Sequence, residues 1–380
     1  MRSTSGTLSS FAGLPEESAA LRHLARVRWG LLVAALLLSL VGLATVHSAS
    51  SEMGIDYLPR QALWVALGMV VFLVAFSVDH QTLTKFAWPI YLTGVALLVL
   101  VLLFGQEAGG SRSWLGIGSY RIQPSEFAKI STALMLARYL AGANRRYLRL
   151  PQIAIVVLLV GVPMALVALS PDLGGAAMFL PVMGGMLVVA GIRWRFVVAG
   201  AITIVLLGAG LWHFVMLDYQ KDRVMTFVSP DRDPLGAGYH LQQSKIAVGS
   251  GQVAGRGYQQ GTQSQLRFLP ARHTDFIFAV LAEEWGFLGV VTVLGLYAVY
   301  IFNGARVAGR ARDREGVLLV AGLLSGFTFH VIYNTSMVVG LVPITGIPLP
   351  FLSYGGSFTL ANFIIAGLIL GIDFRRFVNR

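Results

Sequence analysis

Long apolar runs, separated by short polar stretches, fill the chain after its first 28 residues. A helix needs about 20 predominantly apolar residues to cross the hydrocarbon core of a membrane. The pattern therefore predicts an all-α polytopic membrane protein with about ten transmembrane helices. The predicted spans are 29–48, 61–78, 86–104, 125–140, 151–169, 174–190, 196–216, 276–302, 316–339 and 357–372.

The arginines between these runs predict the orientation of the chain. With ten spans, the arginines that follow spans four, six, eight and ten all lie on one side of the membrane, together with those before span one. These are Arg22, Arg26, Arg28, Arg138, Arg145, Arg146, Arg149, Arg193, Arg195, Arg306, Arg310, Arg312, Arg314, Arg375, Arg376 and Arg380. Because lysine and arginine are enriched in cytoplasmic loops, both termini are expected to be cytoplasmic.

The predicted organisation is a cytoplasmic tail (1–28), one transmembrane domain (29–373) and a second cytoplasmic tail (374–380). A cleavable signal peptide is not expected, because no cleavage-like site accompanies the first apolar run. Two long outer loops are predicted, a large one at 217–274 and a re-entrant one at 340–356. Loops of this length are usually functional or disordered, and the mixture of hydrophobic, aromatic and polar residues in the first argues against disorder.

The composition of the chain is typical of a protein whose surface faces membrane lipid. The chain is 56% hydrophobic and 12% charged, whereas soluble proteins have about a quarter charged residues. The net charge of +11 does not indicate nucleic acid, because the basic residues form no patch interleaved with aromatic residues. The absence of cysteine excludes disulfides, thiolate metal sites and cysteine nucleophiles.

Polar residues cluster where span four begins, at 121–129. Pro124 fits the first position of a helix, and Glu126 and Lys129 then share one helix face. A lysine below the membrane surface is unfavourable unless it is paired. These residues fit a structural ion pair and a polar entrance to a substrate groove equally well.

Asp275 stands at the start of span eight. Its spacing favours a helix N-cap, and His273 with Asp275 is only a weak signal for a metal site because no further ligands recur at metal spacing. Glu283 and Glu284 lie about two turns deeper and require partners, for which Lys129 is a candidate.

Two further segments are unusually rich in glycine or proline. Three prolines in 343–350 exclude a continuous helix there, and Gly355 and Gly356 lead into Ser357 at the start of span ten. Such a turn can hold an anion, although a bent segment with an ordinary cap is favoured from these residues alone. The glycine-rich stretch 249–257 is interpreted as a flexible turn, because no strand precedes it.

The predicted topology brings these weak signals together. Spans four, eight and ten would enter from outside, so the positive ends of their dipoles would face outward. The outer loops also carry Arg112, Arg223, Lys245, Arg256 and Arg267. An outer surface that is basic against the usual bias suggests an anionic substrate such as a phosphorylated lipid.

Several motifs, in order along almost the whole chain, resemble the SEDS (shape, elongation, division and sporulation) family. They lie at 123–129, 170–174, 218–227, 233–239, 261–270, 273–278 and 350–357. The resemblance implies an enzyme with ten spans that polymerises peptidoglycan glycan strands from lipid II outside the cytoplasmic membrane. The stretches at 261–265 and 273–275 look more like the elongation type than the division type. A class B penicillin-binding protein and other membrane proteins of the elongation complex are the implied partners, and nucleic acid is not.

The same resemblance implies functional residues. Asp275 matches the family's catalytic aspartate and is expected to be the base of an inverting glycosyl transfer. Residues expected to handle the substrate are Trp114, Arg121, Gln123, Glu126, Lys129, Arg223, Lys245, His273, Thr274 and Ser357. Ala271 stands where the family usually has glutamate. Trp114 fits sugar stacking or an interfacial position, and a divalent cation, Mg²⁺ or Mn²⁺, bridging the diphosphate stays open.

Three alternatives compete with elongation-type synthesis. A division-type enzyme would share the chemistry. A lipid II flippase would use the same anionic substrate but should carry ionisable residues through the middle of the membrane, where few are found. A non-catalytic scaffold for a penicillin-binding protein would tolerate the loss of Asp275.

Overall fold

The computed structural model describes residues 27–378 apart from 52–55, 109–110, 118–119, 144–146, 215, 217–220, 222–224, 226, 228–236, 267 and 270. Within them the chain is mainly helical. In chain order the helices are α1 Gly30–Ser50, α2 Leu58–Ser77, α3 His80–Lys85, α4 Ala87–Phe104, α5 Pro124–Ala141, α6 Leu150–Leu169, α7 Leu173–Ala177, α8 Phe179–Ala190, α9 Trp194–Phe214, α10 Ala237–Ser250, α11 Thr262–Gln265, α12 Ile277–Ala308, α13 Arg314–Val338 and α14 Gly356–Val378.

Each predicted span coincides with helix, and eight stretches of the described chain are long and apolar enough to cross a membrane. One of the eight, Leu173–Ala190, combines α7 and α8. The other two predicted spans correspond to α9, whose apolar stretch is Trp194–Gly210, and to α5, which carries Glu126, Lys129 and Arg138. Most residues of α5 are buried. Glu126 and Lys129 are among the buried residues and therefore face protein, as intramembrane charges generally do, whereas Arg138 is exposed in the last turn.

The bundle is built around α5, which packs against α4, α8, α13 and α14. The most extensive helix pairs are α2 with α14, α8 with α13 and α1 with α12. Small residues let these helices approach closely: a Cβ at Gly68 of α2 would collide with the ring of Phe363 on α14. The segment between α13 and α14, the re-entrant loop (340–355), is also drawn into the interior, with Leu349 and Leu352 fully buried.

The all-α prediction is wrong for the connection between α4 and α5. This connection forms an antiparallel sheet of β1 Gln106–Ala108, β2 Ser111–Ile117 and β3 Tyr120–Ile122, in the order β1-β2-β3. Gly109-Gly110 between the first two strands is a short-range hairpin signal. Strands this short are not detected by a search for apolar runs of about 20 residues.

α12 is not one continuous helix. At Gly286 the backbone turns to φ 62°, ψ −160°, a region that is essentially restricted to glycine. Such a break leaves carbonyl and N–H groups of the helix without their usual partners.

The stretch 251–257, here called the bridging loop, supplies the missing partners, so its interpretation as a flexible turn is wrong. Backbone bonds run from Arg256 N–H to Glu283 O (3.0 Å), Gly257 N–H to Glu284 O (3.0 Å), Phe287 N–H to Gln252 O (2.8 Å) and Leu288 N–H to Val253 O (3.1 Å). The loop therefore binds both halves of α12 and fixes the angle between them.

Candidate active site

Asp275 lies in a turn, 271–276, that is fastened to the re-entrant loop and α13. Three consecutive carbonyls of this turn accept hydrogen bonds. Tyr354 N–H donates to His273 O (2.9 Å), Ser353 Oγ to Thr274 O (2.7 Å) and Asn334 Nδ2 to Asp275 O (2.9 Å). Asn334 Nδ2 also donates to Ile347 O (2.8 Å) in the re-entrant loop. The backbone that carries the Asp275 carboxylate is thus held from two elements.

Asp275 is not the N-cap residue of α12, so the predicted cap position is wrong by one residue. The N-cap residue is Phe276, which makes no side-chain capping bond, and Asp275 N–H donates to Ala271 O (3.0 Å) within the turn. The Asp275 carboxylate lies against Gly346 instead: a Cβ added at that glycine would be 3.5 Å from Oδ2.

The N-terminal ends of α5 and α14 meet beside the re-entrant loop. Gln123, the N-cap residue of α5, donates from its backbone N–H to Ser357 Oγ (2.9 Å) in the first turn of α14. Both helix ends carry partial positive charge and backbone N–H groups, which favour a bound anion. Gln123 and Ser357, both expected to handle the substrate, are therefore in direct contact, and their role in binding stays a prediction.

Asp172 joins this region although no role was predicted for it. Gln123 Nε2 donates to Asp172 Oδ2 (3.3 Å), while Oδ1 accepts from Gly175 N–H (2.8 Å). A Cβ at Gly174 would stand 2.6 Å from Thr345 O. Since Thr345 precedes Gly346, which borders Asp275, the re-entrant loop places Asp172 and Asp275 in one neighbourhood.

A buried ion pair lies one turn into α5. Lys129 Nζ is 2.8 Å from Glu126 Oε2, and the two residues are only 8% and 7% exposed. They line a cavity of about 30 Å³, together with His330 and Asn362, and this is room for one or two waters. The ion pair predicted from spacing is confirmed, and its contact with substrate stays a prediction.

His330 connects this ion pair to the re-entrant loop. Its Nδ1 is 3.2 Å from Pro348 O, and its Nε2 is 3.5 Å from Lys129 Nζ. A carbonyl can only accept, so Nδ1 carries the proton and Nε2 is left as an acceptor for the ammonium. The ring is therefore neutral in this arrangement.

Lys129 is not the partner of Glu283 or Glu284, so that expectation is wrong. Glu283 accepts from Gln263 N–H (2.8 Å), Ser264 N–H (3.1 Å) and Thr262 Oγ1 (3.3 Å), and Glu284 accepts from Ser48 Oγ. These partners lie on α11 and α1. In the structure α12 packs against α1, α10, α11 and α13, and Lys129 is paired with Glu126.

His273 stacks on Tyr57 with ring centroids 4.7 Å apart and planes 9° apart. Burial, and then the neighbouring Arg272 charge, lower the pKa of His273 below its ordinary value of 6.5. The imidazole is consequently neutral near pH 7. His273 and Thr274 support the turn that carries Asp275 through their backbone carbonyls, and their contact with substrate stays a prediction.

The remaining predicted residues lie further out. Trp114 is half-buried on β2 opposite Gln106, and Arg121 is exposed on β3. Lys245 of α10 reaches the start of the re-entrant loop, where a Cβ at Gly340 would be 2.6 Å from Nζ. Arg223 lies outside the described residues. The contact of Trp114, Arg121 and Lys245 with substrate stays a prediction.

Asp172, His330 and Asn334 were missed. A signal for the first two was available, because ionisable residues within or at the ends of membrane spans are often functional. Within the described part of the chain, no three His, Asp or Glu side chains form a group that could hold a metal ion. A cation bridged by substrate oxygens stays a prediction.

Comparison with known proteins places the whole chain in one family. Residues 26–376 match the FtsW/RodA/SpoVE family, described as cell cycle proteins. Peptidoglycan glycosyltransferase MrdB of Escherichia coli strain K12 is 40% identical over 345 residues, covering 90% of this chain and 92% of that protein. Peptidoglycan glycosyltransferase RodA of Treponema pallidum strain Nichols is 32% identical over 424 residues, covering 91% and 97%.

Solved structures agree with this assignment. A peptidoglycan synthase complex, described in terms of polymerization and crosslinking, contains a chain with TM-score 0.81 and 31% identity, covering 92% of this chain and 98% of that one. Rod shape determining protein RodA of Thermus thermophilus has TM-score 0.69 and 29% identity, with the same coverage. The chain therefore belongs to the FtsW/RodA/SpoVE family of cell cycle proteins.

Proposed function

We propose that this protein is a peptidoglycan glycosyltransferase that polymerises lipid II into glycan strands at the outer face of the bacterial cytoplasmic membrane. Relatives that cover nine-tenths of the chain carry this enzyme name. A structural neighbour named for rod shape determination supports a role in cell elongation. The donor is then the disaccharide-pentapeptide carried on undecaprenyl diphosphate.

The chemistry requires one base and a site for a diphosphate. The acceptor hydroxyl attacks the anomeric carbon of the donor sugar, its proton passes to the Asp275 carboxylate, and the bond to the diphosphate breaks with its electron pair. One displacement inverts the anomeric centre. Because a diphosphate is a competent leaving group, a second carboxylic acid is not required, unlike in sugar hydrolysis.

Charge that develops on the diphosphate is stabilised by groups already in place. The N-terminal ends of α5 and α14 meet at the Gln123–Ser357 contact and supply backbone donors and partial positive charge. The Lys129–Glu126 pair is neutral as a unit, so it contributes orientation more than net charge. The basic residues of the outer loops, among them Arg121 and Lys245, add a longer-range attraction for the anionic donor.

The proposed topology has ten spans, cytoplasmic termini and an outward-facing site. It is supported by the burial of α5, whose charges exclude it from simple hydropathy counts. It is also supported by the arginines at the far ends of α12 and α14, opposite the ends that approach Asp275.

A class B penicillin-binding protein is the proposed partner, because the structural neighbour belongs to a complex that joins polymerisation to crosslinking. Other membrane proteins of the elongation complex are proposed to join the same assembly.

The fixed backbone of Asp275, beside the joined ends of α5 and α14, carries the proposal. Asp275→Asn should lower polymerisation of purified lipid II about 10²- to 10⁴-fold, because the base is lost while the shape is kept. Asp56→Asn is the matched control: Asp56 is exposed and accepts a hydrogen bond from Leu58 N–H (2.9 Å), and the amide oxygen of asparagine can accept the same bond.

The assay uses labelled lipid II with the transpeptidase partner present, and glycan length is read on gels. Normal polymer from Asp275→Asn, or an equal loss from Asp56→Asn, would contradict the base assignment. Transfer of labelled lipid II across vesicles by wild-type protein that makes no polymer would favour a flippase.

A further inference from the structure

A group of arginines lies at the end of the bundle away from Asp275. α14 begins beside the site at Ser357 and runs for 23 residues, or about 35 Å at 1.5 Å per residue. Arg376 lies near its far end. α12 begins two residues after Asp275, and Arg306 and Arg310 lie at its far end. The group is therefore separated from the candidate active site by about the thickness of a membrane.

Contacts among three helix ends bring these arginines together. Arg28, just before α1, donates its backbone N–H to Asp373 Oδ2 (3.0 Å), and Arg376 Nε is 3.1 Å from Asp373 Oδ1. A Cβ at Gly30 would be 3.2 Å from Asn303 Nδ2 on α12. The start of α1 therefore lies beside α12, at a point one helical turn before Arg306. The arginine cluster is defined here as Arg28, Arg306, Arg310 and Arg376.

The cluster carries more positive charge than its described surroundings neutralise. Asp373 is 1% exposed and already engaged by a backbone N–H and by Arg376. Nearby carboxylates have partners of their own: Asp79 lies 3.6 Å from Arg375 Nε, and Asp313 lies 2.9 Å from His80 Nε2.

The excess positive charge of the cluster acts on the guanidinium of Arg28. Burial, and then the charges of Arg310, Arg306 and Arg376, lower the pKa of Arg28, and Asp373 opposes them only in part. Arg28 Nε is also buried without a hydrogen-bond partner among the described groups.

Arginines of cytoplasmic loops are ordinarily solvated singly and need no ligand. Arg193 and Arg195, on the same predicted side, lie over the rings of Tyr147 (5.4 Å) and Phe196 (4.9 Å). In the cluster, Arg306 likewise lies over the ring of Phe302 (4.0 Å). The arginine cluster differs from Arg193 and Arg195 because its members come from three separate helix ends, two of which are joined through Asp373.

We propose that the arginine cluster binds the phosphate diester of an anionic phospholipid headgroup. Guanidinium groups match phosphate oxygens in geometry and charge. The cluster stands at the ends of three helices that are long and apolar enough to cross a membrane, which is the level of the headgroups. Basic pockets between spans on the cytoplasmic side suit such a ligand. The proposal does not depend on the glycosyltransferase activity.

The test compares equal losses of charge inside and outside the arginine cluster. Wild type, Arg306→Gln/Arg310→Gln and the control Arg193→Gln/Arg195→Gln are placed in phosphatidylcholine nanodiscs with increasing phosphatidylglycerol. Bound lipid is counted by native mass spectrometry, and thermal unfolding is recorded. Removal of two arginines from the cluster should weaken phosphatidylglycerol binding about 30-fold, and the control should bind as wild type does.

A charge reversal gives a result of opposite sign. Arg310→Glu supplies the missing negative charge, so it should raise Tm in pure phosphatidylcholine and abolish the stabilisation by phosphatidylglycerol. The proposal is overturned if phosphatidylglycerol does not stabilise wild type, or if the control loses as much binding as the cluster variant. It is also overturned if inorganic phosphate stabilises the protein in phosphatidylcholine as well as the lipid does.

Discussion

Removing the charge of Glu126 tests how the buried ion pair of α5 works. Glu126→Gln keeps the size of the side chain but leaves Lys129 with no carboxylate at 2.8 Å. At that separation, the attraction between unit charges is about 6 kcal/mol at an effective dielectric constant of about 20. Desolvation offsets much of this attraction, and breaking a buried pair from one side typically costs about 3–5 kcal/mol. His330 cannot compensate, because it presents a neutral nitrogen to Lys129.

Removing both charges should have the opposite consequence. Glu126→Gln combined with Lys129→Met leaves no isolated ion, so most of the lost unfolding free energy should return. Lipid II polymerisation should not return if these residues handle substrate. The comparison therefore separates the two roles that fit the motif equally well.

Denaturant unfolding in detergent measures the four forms: wild type, two single variants and the double variant. Polymerisation is assayed on the same preparations. A Glu126→Gln protein as stable as wild type would refute the reasoning, and so would a double variant whose loss equals the sum of the single losses. Full recovery of both stability and activity would assign the pair to structure alone.

Three further variants probe the support of the site. His330→Leu removes the donor to Pro348 O and should cost about 1–3 kcal/mol in chemical denaturation; His330→Gln, which retains an N–H, should recover part of it. The lowered pKa of His273 means that stability is fully present above about 6.5 and falls as the pH drops below that value, so His273→Gln should flatten the dependence of Tm on pH in the acid range. Gly286→Ala forces a side chain to φ 62° and against the bridging loop, which should cost at least about 1–3 kcal/mol. Its control Gly295→Ala, on the same helix with nothing within 4 Å, should gain up to about 1 kcal/mol; equal effects of the two alanines on the unfolding midpoint would contradict the account of the break.

The helical spans could be predicted because their signal is local. Each apolar run reports its own helix, and even α5, with three charges, was found from its position between loops. The Glu126–Lys129 contact was likewise predictable, because residues three apart on a helix are neighbours. Asp275, in contrast, looked like an ordinary cap from spacing and gained its proposed role only through the family resemblance.

The remaining features depend on contacts between distant parts of the chain. The bonds of Glu283 to α11 and of Glu284 to α1 require the break at Gly286, and the partners at that break come from residues some thirty positions earlier. Asp172 and His330 likewise acquire meaning only when the re-entrant loop folds between them. Spacing along one helix cannot reveal such contacts, since they follow from how elements pack.

The bridging loop has a consequence for how this region tolerates change. All four of its bonds to α12 join main-chain atoms, so the side chains of the non-glycine residues between 251 and 257 take no part in them. Gly251 and Gly255 are fixed, because a Cβ at either would collide with a carbonyl oxygen of α12. A single inserted or deleted residue, however, would prevent both pairs of hydrogen bonds from forming at the same time. Its length and its glycines are therefore what this stretch must preserve, and epitope tags or circular permutations should be placed elsewhere.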